Sequence, residues 1–216
     1  MRKVLLGTPC YDGKVHVEFL HSLIDTLAMA SSHETSVFPV QVCHDALIQR
    51  ARNDLVAMAL EAQCDDLVFV DADQAWDPAW IFSLLSRSED VVGGAVPKKS
   101  DTQIDFNIKR LPDWTYDPEA QLIEVECVGT GFLRISKKAL QAVGDISPIY
   151  VERGISKRMV FDVQVGETGE IISEDNVFCR KWRSTGGKVW VDPAITCDHI
   201  GIKTYRNNFA EFIKHI

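Results

Sequence analysis

The chain has 216 residues, 46% of them hydrophobic, and a formal net charge of −8. That composition fits one folded domain with a real core and excludes a disordered or low-complexity chain. It also argues against a broad, sequence-blind grip on nucleic acid, which needs a positive stripe. No apolar run approaches the roughly 18 residues of a spanning helix.

The basic start "MRKVLLGTPCYDGK" carries an apolar run of only "VLLG". It predicts a first core strand rather than an export signal, and a cytoplasmic address follows as the expectation. The next stretch, "HVEFLHSLIDTLAMAS", has helical period, and "TSVFPVQV" is a second strand in which Pro39 suggests an edge or bulge. Between Asp45 and Gln63 the apolar spacing predicts a helix capped by Asp45, with Ile48, Ala51, Leu55, Met58, Ala59 and Ala62 on its buried face. "DLVFVDAD" is the third strand. Asp77 then caps a helix with Pro78 at its first position, and "DVVGGAVP" closes a third strand–helix unit. Strands spaced by helices of this length imply a mostly parallel sheet covered on both faces.

The second half changes character. "FNIKRL", "QLIEVECVG" and "GFLRIS" predict antiparallel strands, and "MVFDVQV" with "GEIIS" predicts a hairpin around "GETG". "SKKALQAVG" and "SEDNVFCRKWRSTGG" predict helices with serine caps and glycine stops. "KVWVDP" is a last strand, and a short helix follows. Six cysteines with no C-x-x-C pair predict free, mostly buried thiols. The basic clusters "PKK" (97 to 99), "SKR" (156 to 158) and "CRKWR" (179 to 183) are expected to be solvated surface.

In open α/β sheets, ligands sit beyond the carboxyl ends of the strands. Asp71 and Asp73 stand one residue apart at such an end, where two carboxylates can turn toward one hard cation that keeps positions open for phosphate. The alternative is a capping aspartate beside a solvated one, and Asp77 already takes the cap. Glu174 and Asp175 fall in the first turn of a helix. Helix electrostatics alone explain them, or one is a general base. Phe178 and Trp182, four apart, belong to the core. His199 lies in a turn after a strand, as a structural histidine or, beside a metal, a neutral imidazole ligand. The "VGTG" turn (Val128 to Gly131) either is an ordinary bulge or lets a ligand approach the backbone. "RARN" (Arg50 to Asn53) is surface or reaches a base or phosphate, and "GTP" (Gly7 to Pro9) ends the first strand where a nucleotide would lie.

Taken in order, strand-end Thr8, "RARNDLV", "VFVDAD", "DVVGGAVPKK", "VGTGFLRIS", "EDNVFCRKW" and "VWVDPAITCDHIG" resemble the GT-A-fold glycosyltransferases of the family-2-like group. The short bacteriophage and bacterial members are the most similar, and the resemblance runs from about Lys3 to Gly201. It implies a single Rossmann-like α/β domain over 1–216. A mostly parallel sheet carries helices on both faces, with a smaller antiparallel part in the second half. Residues 1–100 would form the nucleotide-binding half and 101–216 the acceptor and catalytic half. Asp73 and His199, supported by Asp71, would hold Mn2+ or Mg2+ on the diphosphate of a nucleotide-sugar donor, with a UDP-sugar favoured. Thr8, Pro9, Arg52 and Asn53 would line the nucleotide pocket with Asp71 and Ala72, and Gly129, Thr130 and Gly131 would face the donor sugar or acceptor. Asp175, and next Glu174, would be the base of a hexosyl transfer, inverting because the E-D pair supplies one.

Against that resemblance the sequence is brief, and no large acceptor-binding or membrane-anchoring extension is expected, which leaves the acceptor open among a polysaccharide, a protein, a small molecule and a modified DNA base. A phage-encoded member would work in the host cytoplasm. Two other functions compete. An Asp-x-Asp phosphohydrolase would want threonine or valine soon after the second aspartate, where this chain has Gln74 and Ala75. A non-catalytic nucleotide-sugar binder would not need its carboxylates and His199 intact. A sugar nucleotidyltransferase would need a glycine- and arginine-rich first loop, which "GTPCYDGK" is not.

Overall fold

The computed structural model describes residues 1–100, 102–114, 116, 117, 121–201 and 203–215. The first half alternates: β1 (Arg2–Cys10), α1 (Val17–Ala30), β2 (Thr35–Cys43), α2 (Ile48–Glu61), β3 (Asp66–Val70), the two-residue β4 (Gln74–Ala75), α3 (Pro78–Ser86) and β5 (Val91–Ala95). Next come β6 (Ile108–Arg110), β7 (Tyr116–Asp117), β8 (Leu122–Val128), β9 (Phe132–Ser136) and α4 (Lys137–Ile146). Two small hairpins follow, β10 (Ile149–Glu152) with β11 (Ile155–Arg158), and β12 (Gln164–Val165) with β13 (Ile171–Ile172). Then come α5 (Glu174–Ser184), β14 (Val189–Thr196), β15 (Asp198–Ile200), β16 (Thr204–Tyr205) and α6 (Phe209–Phe212).

The main sheet runs β2-β1-β3-β9-β5-β14-β8-β6, with β7 against β8. β1 is parallel to β2 and to β3, and β14 is parallel to β5. β9 is antiparallel to both β3 and β5. So β1, β2, β3, β5 and β14 share one direction, with β9 and β8 reversed among them, and the five bring their carboxyl ends to one edge. β3 has the side-chain period of two. Leu67 and Phe69 enter the cluster formed with Leu55 of α2, Leu140 of α4 and Phe178 of α5, while Val68 and Val70 enter the opposite cluster with Phe19 of α1 and Ile81 of α3. With helices on both faces, every residue of "DLVFV" is buried. Pro39 sits in β2, an edge strand of the sheet, as its missing donor suggests.

The buried acid of β3 is a structural one. Asp66, 1% exposed, accepts from Arg2 Nε at 2.5 Å and from Arg134 Nε, on β9, at 2.6 Å. Arg134 is itself buried and also donates to Glu89 O. Removing one partner strands the other charge away from water, so Asp66→Ala is expected to cost about 3–5 kcal/mol. Urea unfolding would read that as a lower midpoint at unchanged slope.

Several local expectations are corrected. α2 starts at Ile48 rather than Asp45, because Asp45 accepts from Leu47 N at 2.9 Å and pairs with Arg50, closing a turn ahead of the helix. Its buried face holds Arg52, Asn53 and Val56, whereas Ile48 and Met58 are exposed. Gly144 does not stop α4, which continues to Ile146, although Ser136 caps it as expected. The hairpin around "GETG" shrinks to two residues a side. β10 and β11 form a hairpin that periodicity missed, turning through Arg153 (φ 49°) and Gly154 (φ 80°), the left-handed pair of a type I′ turn. Asp77 caps α3 as expected, accepting from Ala79 N at 2.9 Å.

The basic clusters are solvated only in part: Lys98, Arg158 and Arg180 are exposed, but the others are engaged. Lys157 pairs with Asp54 and Glu152, Lys181 donates to Met159 O, Arg183 pairs with Glu124, and Lys99 reaches Asp73. Five of the six cysteines are buried and Cys43 is exposed. No helix among the described residues is long and apolar enough to cross a membrane.

Candidate active site

The carboxyl ends of β1 and β3 open into a cleft of about 650 Å3, lined by Pro9, Tyr11, Asp12, Lys14, Val15, His16, Ile48, Arg52, Asp71, Ala72 and Asp73. Its outer wall is the loop after β1, tied back where His16 N donates to Ala72 O at 3.2 Å. The apolar run of β3 ends at the first acid, and residues 71–74 fold into a turn in which Gln74 N donates to Asp71 O at 3.1 Å. Both carboxylates are therefore fixed at the sheet's edge.

Each acid has its own partners. Asp71 Oδ1 accepts from Arg52 Nη2 at 3.1 Å, and Arg52 Nη1 donates to Glu174, so one buried guanidinium joins the D-x-D turn to the start of α5. Asp73 Oδ2 lies 2.6 Å from Lys99 Nζ and 3.3 Å from His199 Nε2. Burial pushes the Asp73 carboxyl up, but the hydrogen bonds from His199 and Lys99 outweigh it and hold the group well below the usual carboxylate range.

His199 is delivered by pairing. It lies in strand β15, not in a turn as its sequence surroundings suggest. After a bulge in β14, β15 leaves the main sheet and pairs antiparallel with β4, placing His199 opposite Gln74. Ile200 N then donates to Asp73 O at 2.8 Å. His199 Nδ1 lies 2.7 Å from Pro97 O, and a carbonyl only accepts, so Nδ1 carries the proton. Its Nε2 faces the Asp73 carboxylate, to which it can donate when it carries a proton or with which, through its lone pair, it can share a cation. Two electron-rich atoms at 3.3 Å hold together only with a proton or a cation between them.

The remaining expected residues divide. Pro9, Arg52 and Ala72 line the cleft. Thr8 is fully buried, and its Oγ1 has no partner. Asn53 does not reach the cleft: its amide donates to Phe161 O at 2.8 Å and accepts from Phe161 N at 2.9 Å. In the "VGTG" turn, Gly131 faces the acids: its carbonyl accepts from Asp71 N at 3.2 Å, and a Cβ there would stand 3.3 Å from Asp71 Oδ2. Gly129 instead packs against Asn107, where a Cβ would come within 1.9 Å of Nδ2, and Thr130 is buried. Asp175 is 8% exposed, with Oδ1 accepting from Ser173 Oγ and, at 2.7 Å, from Asn176 N. Lys99, Gln74 and the loop from Tyr11 to His16 were not singled out by sequence. The only signal for Lys99 is its place just past the carboxyl end of β5.

The donor set suits a hard divalent cation. Asp73 offers a carboxylate oxygen and His199 an imidazole nitrogen whose tautomer its other bond fixes. Asp71 is turned to Arg52, and among the described residues no three His, Cys, Asp or Glu side chains gather closely enough to hold an ion by themselves. Two protein donors leave room for a ligand's oxygens. Thr8 Oγ1, Arg52 Nε and Gln74 Oε1 are buried without hydrogen-bond partners, and of these three residues Arg52 alone lines the cleft.

Solved structures share this architecture. The crystal structure of A197 from STIV matches at a TM-score of 0.57 and 20% identity over 93% of this chain and 86% of that one. Residues 1–349 of S. aureus TarS, in complex with UDP-GlcNAc, match at a TM-score of 0.50 and 14% identity over 97% of this chain and 61% of that one. A glycosyltransferase involved in glycosylation of the major capsid of PBCV-1 is matched over 65% of this chain at a TM-score of 0.38. No protein-family model and no curated protein sequence matches. The fold is GT-A-like: a large mixed, mostly parallel sheet between helices, with small antiparallel sheets beside it.

Proposed function

We propose that the chain is a metal-dependent glycosyltransferase that moves a hexosyl group from a nucleoside-diphosphate sugar, a UDP-sugar in the first instance, to an acceptor hydroxyl. The observation that carries this is the convergence of Asp73 and His199, from opposite halves of the chain, where Asp73 lines a cleft of about 650 Å3 at the carboxyl ends of β1 and β3. The likeness in fold to TarS, whose structure holds UDP-GlcNAc, supports the donor class.

In this proposal Asp73 and His199 hold Mn2+ or Mg2+, which supplies charge neutralisation to the departing diphosphate. The loop from Tyr11 to His16, with Pro9 and Ala72, receives the nucleoside. Arg52 ties Asp71, in the cleft wall, to Glu174 at the start of α5, which carries the base. Asp175 takes the proton of the acceptor hydroxyl as that oxygen attacks the anomeric carbon. Its Oδ1 is committed to Ser173 and Asn176, which leaves Oδ2 for the proton. Glu174 is neutralised by Arg52 and acts as a positioning residue.

Incubation with a panel of UDP-, GDP- and dTDP-sugars and Mn2+ tests the assignment. Release of the nucleoside diphosphate, faster with an acceptor present, is the expected result. Phosphate release from simple monoesters would favour a phosphohydrolase instead, and tight donor binding with no turnover would favour a non-catalytic binder.

A further inference from the structure

Lys99 has no part in the chemistry described so far, yet its position is built. Its ammonium lies 2.6 Å from Asp73 Oδ2, the oxygen that also faces His199. Its stem crosses Gly201, where a Cβ would come within 3.2 Å of Lys99 Cδ and 3.4 Å of Cε, so the glycine leaves the groove in which the side chain lies. The backbone just before it is fixed as well, since Pro97 O is the partner of His199 Nδ1. One short segment thus orients the imidazole and sets a positive charge on the carboxylate beside it.

We infer that Lys99 is an internal counter-cation that occupies Asp73 until donor and metal arrive together, and then transfers its ammonium to the donor's diphosphate. This rests on the proposed use of Asp73 and His199 as cation ligands. A divalent ion and an ammonium repel each other and compete for the same oxygen, so an ion arriving alone must displace Lys99 from a good partner. A diphosphate offers Lys99 a new one, and a four-carbon stem with three donors can follow it. Metal and nucleotide then bind with positive coupling, which by linkage is the same for either order of addition. The device keeps the carboxylate compensated when the cleft is empty. It also places a fixed charge where the leaving group develops its own, as a positioned donor should.

Manganese binding to the full chain, followed by the EPR signal of free Mn2+, tests this without recourse to turnover. In the wild-type protein, Mn2+ alone is expected to bind weakly, and UDP (with GDP and dTDP run in parallel) to tighten it by roughly tenfold or more, within the usual range of such couplings. Lys99→Met keeps the stem over Gly201 and removes the charge. It should bind Mn2+ alone about five- to tenfold more tightly and lose most of the nucleotide's enhancement. Lys98→Met, which breaks only the exposed pair with Asp105, should behave as wild type. If Lys99→Met binds Mn2+ alone no better than wild type, the counter-cation role is wrong while the ion site stands. If the wild-type protein binds no Mn2+ with any nucleoside diphosphate, the ion site itself is wrong and the inference falls with it.

Discussion

Replacing Asp73 with alanine is expected to lower metal-dependent sugar transfer by about a thousandfold or more, in a protein that still folds. In the proposed mechanism this carboxylate is one of only two protein donors to the cation, and charge neutralisation of a leaving group is worth several kcal/mol, at about 1.4 kcal/mol per tenfold in rate. The fold gives up little in exchange. The side chain is about one-third exposed, and its pair with Lys99 is partly solvated, an interaction worth roughly 0–1 kcal/mol. Turnover with the donor identified in the panel, beside a urea melt, would check both halves of the statement. A variant that keeps full activity with Mn2+ would show the ligand to be misassigned. His199→Ala should fall in the same direction, since Nε2 is the second donor.

Asp175→Asn should reduce kcat by roughly a hundredfold to ten-thousandfold, the range for loss of a general base, while donor affinity stays within about twofold. Asparagine keeps an oxygen for Ser173 and Asn176 and loses only basicity, so the start of α5 is preserved. Glu174→Gln is the informative contrast. It weakens the tie from Arg52 to α5, and Arg52 also holds Asp71, so its effect should appear largely in donor binding. Equal losses in kcat and affinity for Asp175→Asn would make that residue part of the scaffold rather than the base.

How much was legible followed the distance over which each feature is specified. The run "DLVFV" announces a central strand, and Asp77-Pro78 announces a helix start. Both are local, and both stand in the structure. The cap of α2 failed because Asp45 spends its oxygens on Leu47 and Arg50, a choice that a preference for aspartate before a helix does not reveal. Asn53 looked available for a ligand because nothing in its neighbourhood shows that Phe161 will take both ends of its amide. The surroundings of His199 suggest a turn, since its strand is a three-residue piece set between two-residue partners, one of them far upstream. The sequence around Lys99 suggests surface for a similar reason. Its partner is across the fold, and a lysine between a proline–lysine pair and a polar loop looks solvated from either side.

The ribbon formed by β15 and β4 has a consequence for synthesis. Its two partners lie more than half the chain apart, so a nascent polypeptide can complete β1 to β5 long before the imidazole emerges. Closing so long a loop is entropically slow, and a pairing this short is among the weaker units of the molecule. The two ligands of the proposed ion site thus come together only once synthesis has passed His199, so a shorter nascent chain would have no means to squander activated sugar.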